Sequence, residues 1–174
     1  MRLLLRSVQT ELNLESAATD DQVTLILDMK PQSVTFVPER RQELTTEGGL
    51  DVAGLQKKLR KIVPELQKNG IRVSLFIHPD RKVVEISKEL AVDAIEFHTG
   101  AYTEARSDDE RQKQLRELAE HAQLAKSLDL WVAAGHGLNY QNIQPVAAIR
   151  EIVEFNIGHA IVARSVFVGL GPAV

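Results

Sequence analysis

Short strand-like runs alternate with longer amphipathic segments along the whole chain, and this alternation constrains the fold more than any other feature. Runs such as residues 33–37, 71–77 and 93–98 are rich in aliphatic, β-branched and aromatic side chains, which is typical of β-strands. We expect strands of continuous apolar character, as in sheets that are covered by helices. A strand that follows a helix usually runs parallel to the strand before it. The pattern therefore predicts a parallel sheet with helices packed against it.

Strand and helix positions follow from these patterns. Strands are predicted at residues 10–15, 33–37, 71–77, 93–98, 130–134 and 155–157. Side chains of Ser, Thr and Asp cap the free N–H groups of a first helical turn. Helix starts are accordingly predicted at Thr19, Asp51, Asp80 and Ser107, and further helical segments at residues 2–9, 142–151 and 158–170. Pro64 lies inside one helical pattern and is expected to kink or shorten that helix.

The predicted order of elements fits a single domain spanning residues 1–174. Parallel α/β sheets occur as closed (β/α)8 TIM barrels or as open doubly wound sheets. No G-x-G-x-x-G motif follows the first strand and no P-loop motif occurs, so a dinucleotide-binding or P-loop function loses its main support. We expect an incomplete TIM barrel of about six parallel strands, with the missing part at the front of the chain, because a closed barrel needs eight.

Composition excludes several classes of function. The net charge of −3 and the lack of Lys/Arg runs give no support for nucleic-acid binding. The chain has 0 cysteines, which excludes disulfides and thiolate chemistry and fits a cytoplasmic location. No apolar segment is long enough to span a bilayer, and Arg6 interrupts any signal-peptide core. We therefore expect a cytoplasmic protein without a membrane or nucleic-acid partner.

Ionisable side chains stand at the predicted carboxyl ends of three strands, where TIM barrels carry their active sites. Glu15 ends the first strand, Glu96 lies near the end of the fourth, and His136 follows the fifth between two glycines. If Glu15 faces the barrel mouth, desolvation suits it to act as a base, whereas the alternative is an exposed loop carboxylate. Glu96 is either catalytic or part of a buried pair satisfied by a neighbouring strand. We expect all three to face one cavity.

A phosphate site is predicted at the last strand. Gly158 and His159 open an apolar helix there, and free N–H groups at a helix start bind phosphate. Thr45 offers a hydroxyl from a loop that also contains Gly48 and Gly49, and that loop is interpreted as a ligand lid or as a mobile connection. No set of His, Asp and Glu residues has the spacing of metal ligands, so no metal site is predicted.

Seven short words of the sequence resemble those of the pyridoxine 5′-phosphate synthase family, in the family's order along essentially all of the chain. They are LNLE (12–15), VPER (37–40), TTEGGLDV (45–52), VSLFI (73–77), IEFHTGAY (95–102), AGHGL (134–138) and NIGHAI (156–161). The resemblance implies a (β/α)8 barrel that forms a homo-oligomer. It also implies condensation of 1-deoxy-D-xylulose 5-phosphate with 3-amino-2-oxopropyl phosphate to pyridoxine 5′-phosphate, phosphate and water, with no cofactor.

The same resemblance implies roles for individual residues. Glu15 resembles the family's carboxylate base, His136 its acid and Glu96 its transition-state stabiliser. The positions that hold the substrates and their phosphates correspond to Thr45, Gly137, Gly158 and His159. The six strands correspond to the third to eighth strands of the family barrel, so the first two βα units and the closing helix have no counterpart in this chain.

Two alternative functions remain open at this stage. The first is an inactive fragment of such a synthase that retains phosphate binding or oligomer contacts. The second is another phosphate-handling barrel, such as an epimerase or isomerase, which explains Gly158, His159 and His136 but not the loop around Thr45.

Overall fold

The computed structural model describes residues 2–38, 45 and 48–174, and it shows six strands in this part of the chain. The strands are β1 (Asn13–Ser16), β2 (Ser33–Phe36), β3 (Arg72–Ile77), β4 (Ala94–His98), β5 (Trp131–Gly135) and β6 (Glu154–Asn156). The helices are α1 (Arg2–Ser7), α2 (Asp20–Met29), α3 (Val52–Lys68), α4 (Arg81–Glu89), α5 (Gly100–Thr103), α6 (Asp108–Ser127), α7 (Ile143–Ala147), α8 (His159–Val168) and α9 (Leu170–Ala173). The alternation predicted from the sequence is confirmed.

All neighbouring strands are parallel, and their order in the sheet is their order in the chain. At least one helix lies between each strand and the next, as in the βα units of a TIM barrel. The sheet curls into a half-barrel with β1 and β6 at its two edges. The prediction of an incomplete α/β TIM barrel is therefore confirmed, and the carboxyl ends of all six strands meet at one rim.

The two faces of the sheet differ in chemistry. Side chains that point toward the helices, such as Val34, Leu75 and Phe97, are fully buried in the hydrophobic core. Those on the concave face include polar groups such as Thr35 and Glu96, because successive side chains of a strand point to opposite faces. The expectation of continuously apolar strands was therefore wrong. The hydrophobic core lies between sheet and helices, and the concave face is left for polar side chains.

The four predicted helix caps are all present. The side chains of Thr19, Asp51, Asp80 and Ser107 accept hydrogen bonds from backbone N–H groups of the first turns of α2, α3, α4 and α6, respectively. The donor–acceptor distances lie between 2.9 Å for Gly54 and 3.4 Å for Gln22. These bonds satisfy N–H groups that have no partner within the helix, so local sequence determines where these four helices begin.

Two helices differ in length from the predictions. Helix α3 continues through Pro64 to Lys68 and is not shortened. Both Pro64 and Arg60, whose carbonyl loses its usual donor, lie on the exposed side of the helix, so water can replace the missing bond. Helix α7 ends at Ala147, well before residue 151. Tight turns then bury the side chains of Ile149 and Ile152 before β6 begins. The chain therefore adopts these turns in place of a longer helix.

None of the helices in the described ranges combines the length and the apolar character needed to cross a membrane.

The position of the core predicts that the same substitution has a large effect on stability at one residue and little effect at another. Phe97→Ala removes a fully buried ring between sheet and helices, and we expect it to lower the free energy of unfolding by about 3–5 kcal/mol. Phe167→Ala is the matched control, because that ring is 88% exposed, and a change within about 0.5 kcal/mol is expected. Urea denaturation followed by circular dichroism measures both values, and equal losses would contradict the assignment of the core.

Candidate active site

A cavity of about 1140 Å³ opens at the rim where the strands end. Its lining includes Asn13, Glu15, Phe76, Glu96, His98, His136, Gly137, Asn156, Gly158 and His159. These residues come from β1, β3, β4 and β6 and from the segments that follow β5 and β6. The expectation that Glu15, Glu96 and His136 face one cavity is confirmed. Of the other predicted residues, Gly137, Gly158 and His159 line the cavity, and Thr45 does not belong to its lining among the described residues.

Glu96 is the buried acid of the cavity. Only 3% of the residue is exposed, and one carboxylate oxygen accepts a hydrogen bond from the Asn156 side-chain amide at 2.8 Å. Burial raises the pKa of the Glu96 carboxyl from 4.5 to about 7, the Asn156 hydrogen bond opposes this, and the negative charges of Glu15 and Glu154 add to it. A group with such a pKa exchanges protons near neutral pH, as acid–base catalysis requires.

The second carboxylate oxygen of Glu96 occupies space that a side chain at residue 135 would fill. A Cβ atom built on Gly135 would lie 2.2 Å from Glu96 Oε1 and 3.1 Å from the Asn156 carbonyl oxygen. Strands β5 and β6 pair Gly135 with Asn156, so the glycine lies directly beside the hydrogen-bond donor. The absence of a side chain at residue 135 therefore lets Glu96 Oε1 occupy this space without overlap.

Glu15 lines the same cavity from β1, and its side chain is exposed. The desolvation that its strand-end position predicted is therefore absent, and the alternative of an exposed carboxylate describes its surroundings correctly. It is nevertheless close enough to raise the pKa of Glu96 by charge repulsion. The cavity thus holds two carboxyl groups in different environments, one exposed and one buried, and such pairs can divide the acid and base roles of a reaction.

His136 is exposed at the rim and has a left-handed backbone, with φ of 79°. This conformation is uncommon outside glycine and costs roughly 1–3 kcal/mol. The buried Thr99 hydroxyl donates to the carbonyl oxygens of His136 at 2.6 Å and of Gly135 at 2.8 Å. Gly137 follows with φ of 74°, and a Cβ there would lie 2.3 Å from the Thr103 hydroxyl oxygen. The turn that presents His136 is therefore held by contacts from the segment after β4.

A second histidine ring packs against His136. The His98 and His136 rings lie 4.6 Å apart between centroids with an angle of 37°, and the Phe76 ring meets His98 edge-on at 5.2 Å. A Cβ on Gly48 or Gly100 would lie 2.6 Å or 2.4 Å from His98 Cε1, so the His98 ring is closely surrounded. Glu96 and His98 share the cavity face of β4, because residues two apart on a strand point to the same side of the sheet.

Thr45 acts locally within its loop. Its hydroxyl accepts a hydrogen bond from the Gly49 N–H at 3.1 Å, and its own N–H donates to the Gly49 carbonyl at 2.8 Å. The next residues are anchored to the sheet by the Leu50 N–H, which donates to the Phe76 carbonyl at 2.8 Å. Residues 39–40 and 46–47, which belong to the words quoted above, lie outside the described residues. The role of Thr45 in substrate binding stays a prediction.

The predicted phosphate site follows β6, the edge strand on the opposite side of the sheet from β1. Gly158 precedes α8, and His159 begins it, directly after β6. The first N–H groups of a helix have no partner within it, so this turn offers donors and a positive dipole end to an anion in the cavity. Gly158 has open space where a Cβ would be, so its place in the site does not depend on close packing.

The structure adds to the cavity lining three polar residues that the sequence analysis does not name as site residues. His98 lies two residues after Glu96, and this strand spacing, which puts both side chains on one face, was the available signal. Asn156 ends β6 beside the GH pair at residues 158–159, and strand-end position was again the signal. Asn13 lines the cavity from β1 and exchanges hydrogen bonds with the Thr35 hydroxyl at 2.9 and 3.1 Å. Its alternation with Glu15 on the same strand was the available signal.

Within residues 2–38, 45 and 48–174, no three His, Asp or Glu side chains lie close enough together to hold a metal ion.

The fold and the cavity define a class: an α/β protein of TIM-barrel type with a candidate acid–base site at the carboxyl ends of its strands. The sequence model of the family described as "Pyridoxal phosphate biosynthesis protein PdxJ" matches residues 1–174. The chain belongs to this family.

Curated relatives carry the name "Pyridoxine 5'-phosphate synthase". The protein from Geobacter sp. (strain M21) is 50% identical over 174 residues, which are 100% of this chain and 73% of the relative. Proteins of the same name from Syntrophotalea carbinolica and Geobacter sulfurreducens are 52% and 51% identical, with the same coverage of 100% and 73%. The chain thus spans about 73% of the length of these relatives.

Solved structures with similar folds are more distant in sequence. A xylose isomerase domain protein from Planctomyces limnophilus has a TM-score of 0.56 at 11% identity, over 96% of this chain and 73% of that one. The structure titled "Native KDPGal structure" has a TM-score of 0.65 at 11% identity, over 99% and 70% of the two chains. At such identities the similarity establishes the fold alone.

The raised pKa of Glu96 predicts a pH-dependent loss of stability. The folded chain keeps a proton that the unfolded chain releases near pH 4.5, so stability is full below that pH and falls as the pH rises through about 7. The difference between 4.5 and about 7 corresponds to about 3 kcal/mol. Glu96→Gln cannot ionise, and we expect its free energy of unfolding to exceed that of the unmodified chain increasingly as the pH rises.

Urea denaturation at a series of pH values measures this difference. Glu120→Gln is the matched control, because Glu120 is exposed on α6 and should follow the unmodified chain at every pH. Parallel pH profiles for Glu96→Gln and the unmodified chain would contradict the burial of an ionisable Glu96.

The close contact at residue 135 generates a separate prediction. Gly135→Ala places a methyl group 2.2 Å from the Glu96 carboxylate, and relief of this overlap must move the carboxylate or the strand. We expect a loss of about 1–3 kcal/mol in the free energy of unfolding, measured by urea denaturation. Gly171→Ala serves as the control, because a Cβ at that residue meets no atom within 4 Å. Equal effects of the two substitutions would show that Gly135 is not tightly packed.

Proposed function

We propose that this chain is a pyridoxine 5′-phosphate synthase, which condenses 1-deoxy-D-xylulose 5-phosphate with 3-amino-2-oxopropyl phosphate to form pyridoxine 5′-phosphate, phosphate and water. The observation that carries the proposal is that Glu15, Glu96 and His136 line one cavity in a chain of the PdxJ family. Ring closure of this kind consists of an imine formation, eliminations and proton transfers. Each step needs a group that takes or gives a proton near neutral pH.

The environments of the three groups support different roles. Glu15 is exposed and suits a base that collects protons from the substrate and returns them to water. His136 reaches the cavity from a strained turn and suits an acid that donates to a leaving oxygen, because an imidazole nitrogen can carry and donate a proton. Buried Glu96 suits a group that stabilises positive charge developing on nitrogen, because charges interact strongly away from water.

The substrates are small and phosphorylated, and the cavity suits both properties. Its volume of about 1140 Å³ is at the upper end of ligand pockets, so two small substrates fit together. The helix start at Gly158 and His159 supplies phosphate donors, and the Gly137 backbone adds a close approach. Thr45, which is joined to the sheet through Gly49 and Leu50, is assigned to hold a substrate.

We also propose a cytoplasmic homo-oligomer. The absence of cysteine from the sequence fits a reducing compartment. Exposed apolar side chains of α8, such as Val162 at 61% and Val166 at 77% exposure, are compatible with contacts to another copy.

A second candidate is a protein that binds these phosphates without turnover. It is favoured by one observation, namely that β1 and β6 each pair on one side only in the described sheet. Calorimetry with 1-deoxy-D-xylulose 5-phosphate separates the two functions, because binding in the absence of product formation supports this candidate and turnover excludes it.

Substitution of the two solvent-accessible groups tests the proposal. We expect the unmodified chain, supplied with both substrates, to form pyridoxine 5′-phosphate, measured by chromatography of the product. Glu15→Gln and His136→Asn each remove a proton-transfer group, so turnover is expected to fall by about 10²–10⁴-fold.

Controls for these variants come from α6. Glu120→Gln and His121→Asn make the same chemical changes on a helix outside the cavity lining, and both should retain full turnover. Unchanged rates for Glu15→Gln and His136→Asn would refute the assigned roles, and lack of product from the unmodified chain would refute the proposed activity.

A further inference from the structure

Asn156 lies between Glu96 and the helix start at Gly158 and His159, both of which line the cavity. It is the last residue of β6, and the phosphate-binding turn at Gly158 begins two residues later. Its side-chain amide donates to Glu96 Oε2 at 2.8 Å. In the described part of the chain, this is the only hydrogen bond that the Glu96 side chain makes. A buried carboxyl group with a single donor depends on that donor for its orientation.

The surroundings of Glu96 leave it few other positions. Its Oε1 atom fills the space above Gly135, and Gly135 is the register partner of Asn156 on the neighbouring strand. The carboxyl group thus lies between the backbone of Gly135 on β5 and the side-chain amide of Asn156 on β6. Of these two contacts, only the hydrogen bond from the amide is directional and favours the ionised carboxylate. Close packing against Gly135 limits the position of the carboxyl group but does not favour one charge state.

We propose that Asn156 is the positioning residue for Glu96, fixing the orientation of its carboxyl group in the cavity and favouring its ionised form. This inference rests on the proposed function, in which Glu96 acts as the buried charge of the site. Asn156 itself acts through Glu96 and takes no part in proton transfer, because an amide has no accessible pKa near neutrality.

Electrostatics support this assignment. Burial raises the pKa of Glu96, and the Asn156 hydrogen bond is the largest influence that lowers it. The charged and titratable groups that line the main cavity with Glu96 are Glu15, His98, His136 and His159. Those around a small cavity on the concave face beyond it are Glu11, Arg72, Asp93 and Glu154. Arg72 is already paired with Glu11, so the Asn156 amide is the stabilising contact closest to the Glu96 carboxylate.

Removal of the amide tests the inference without any need for catalysis. The titration of Glu96 is followed by the infrared band of its protonated carboxyl group, identified as the band that Glu96→Gln abolishes. In the unmodified chain we expect a midpoint near pH 7. In Asn156→Leu, which has similar size but no donor, the midpoint is expected to rise by about 1–2 pH units, since hydrogen bonds to charged groups contribute about tenfold to hundredfold.

Two further variants keep the test decisive. Asn156→Ala should show the same upward shift, and it replaces Asn156→Leu if the larger apolar side chain prevents folding. Asn69→Ala is the matched control, because the Asn69 amide donates to the Glu65 carbonyl at the end of α3, far from the cavity in sequence and fold. Its Glu96 midpoint should equal that of the unmodified chain.

Kinetics provide the second measurement. If ionised Glu96 acts in the reaction, the pH–rate limb that reports it should move upward by the same interval, and kcat at neutral pH should fall by about fivefold to fiftyfold with KM changed less. An unchanged infrared midpoint in both Asn156 variants would overturn the inference, whatever the activity. A shifted midpoint in a chain that makes no product would uphold it and refute the proposed function instead.

Discussion

The structure depends on the alternation of side chains along parallel strands that curl in one direction. One face of each strand packs against helices, and the apolar side chains of the strands lie on that face, as the burial of Val34, Leu75 and Phe97 shows. The concave face then carries Thr35 and Glu96 without disturbing the hydrophobic core. A buried carboxyl group is costly in most proteins, and this division of the sheet confines that cost to a place where the group meets a cavity.

Strand register brings the chemistry together. Parallel pairing aligns His98 with Gly135 and Gly135 with Asn156, so the ends of β4, β5 and β6 coincide at the rim. Residues far apart in the chain therefore become neighbours through backbone hydrogen bonds alone. Thr99 then connects the segment after β4 to the turn that carries His136, which maintains the strained backbone of that turn.

Sequence patterns predicted the fold, the helix caps and the common cavity, because each follows from local rules. A helix cap depends on one side chain, and the periodicity of apolar residues shows where each strand ends and hence which residues meet at the rim. They failed where the outcome depends on contacts between elements. The pattern around Pro64 does not reveal that its helix face is exposed, and the burial of Ile149 that ends α7 arises from packing. The contact of Asn156 with Glu96 requires the register of three strands. Resemblance supplied the roles of Glu15 and His136, which remain predictions.

The proton affinity of Glu96 has a consequence for ligand binding. With a pKa of about 7, the carboxyl group is neutral in about half of the molecules at neutral pH and charged in the others. Any ligand that prefers one of these two forms must shift the balance between them, so its association takes up or releases a fraction of a proton. The heat of association would then vary with the ionisation enthalpy of the buffer, and the apparent affinity would change most steeply within the pH range of living cells.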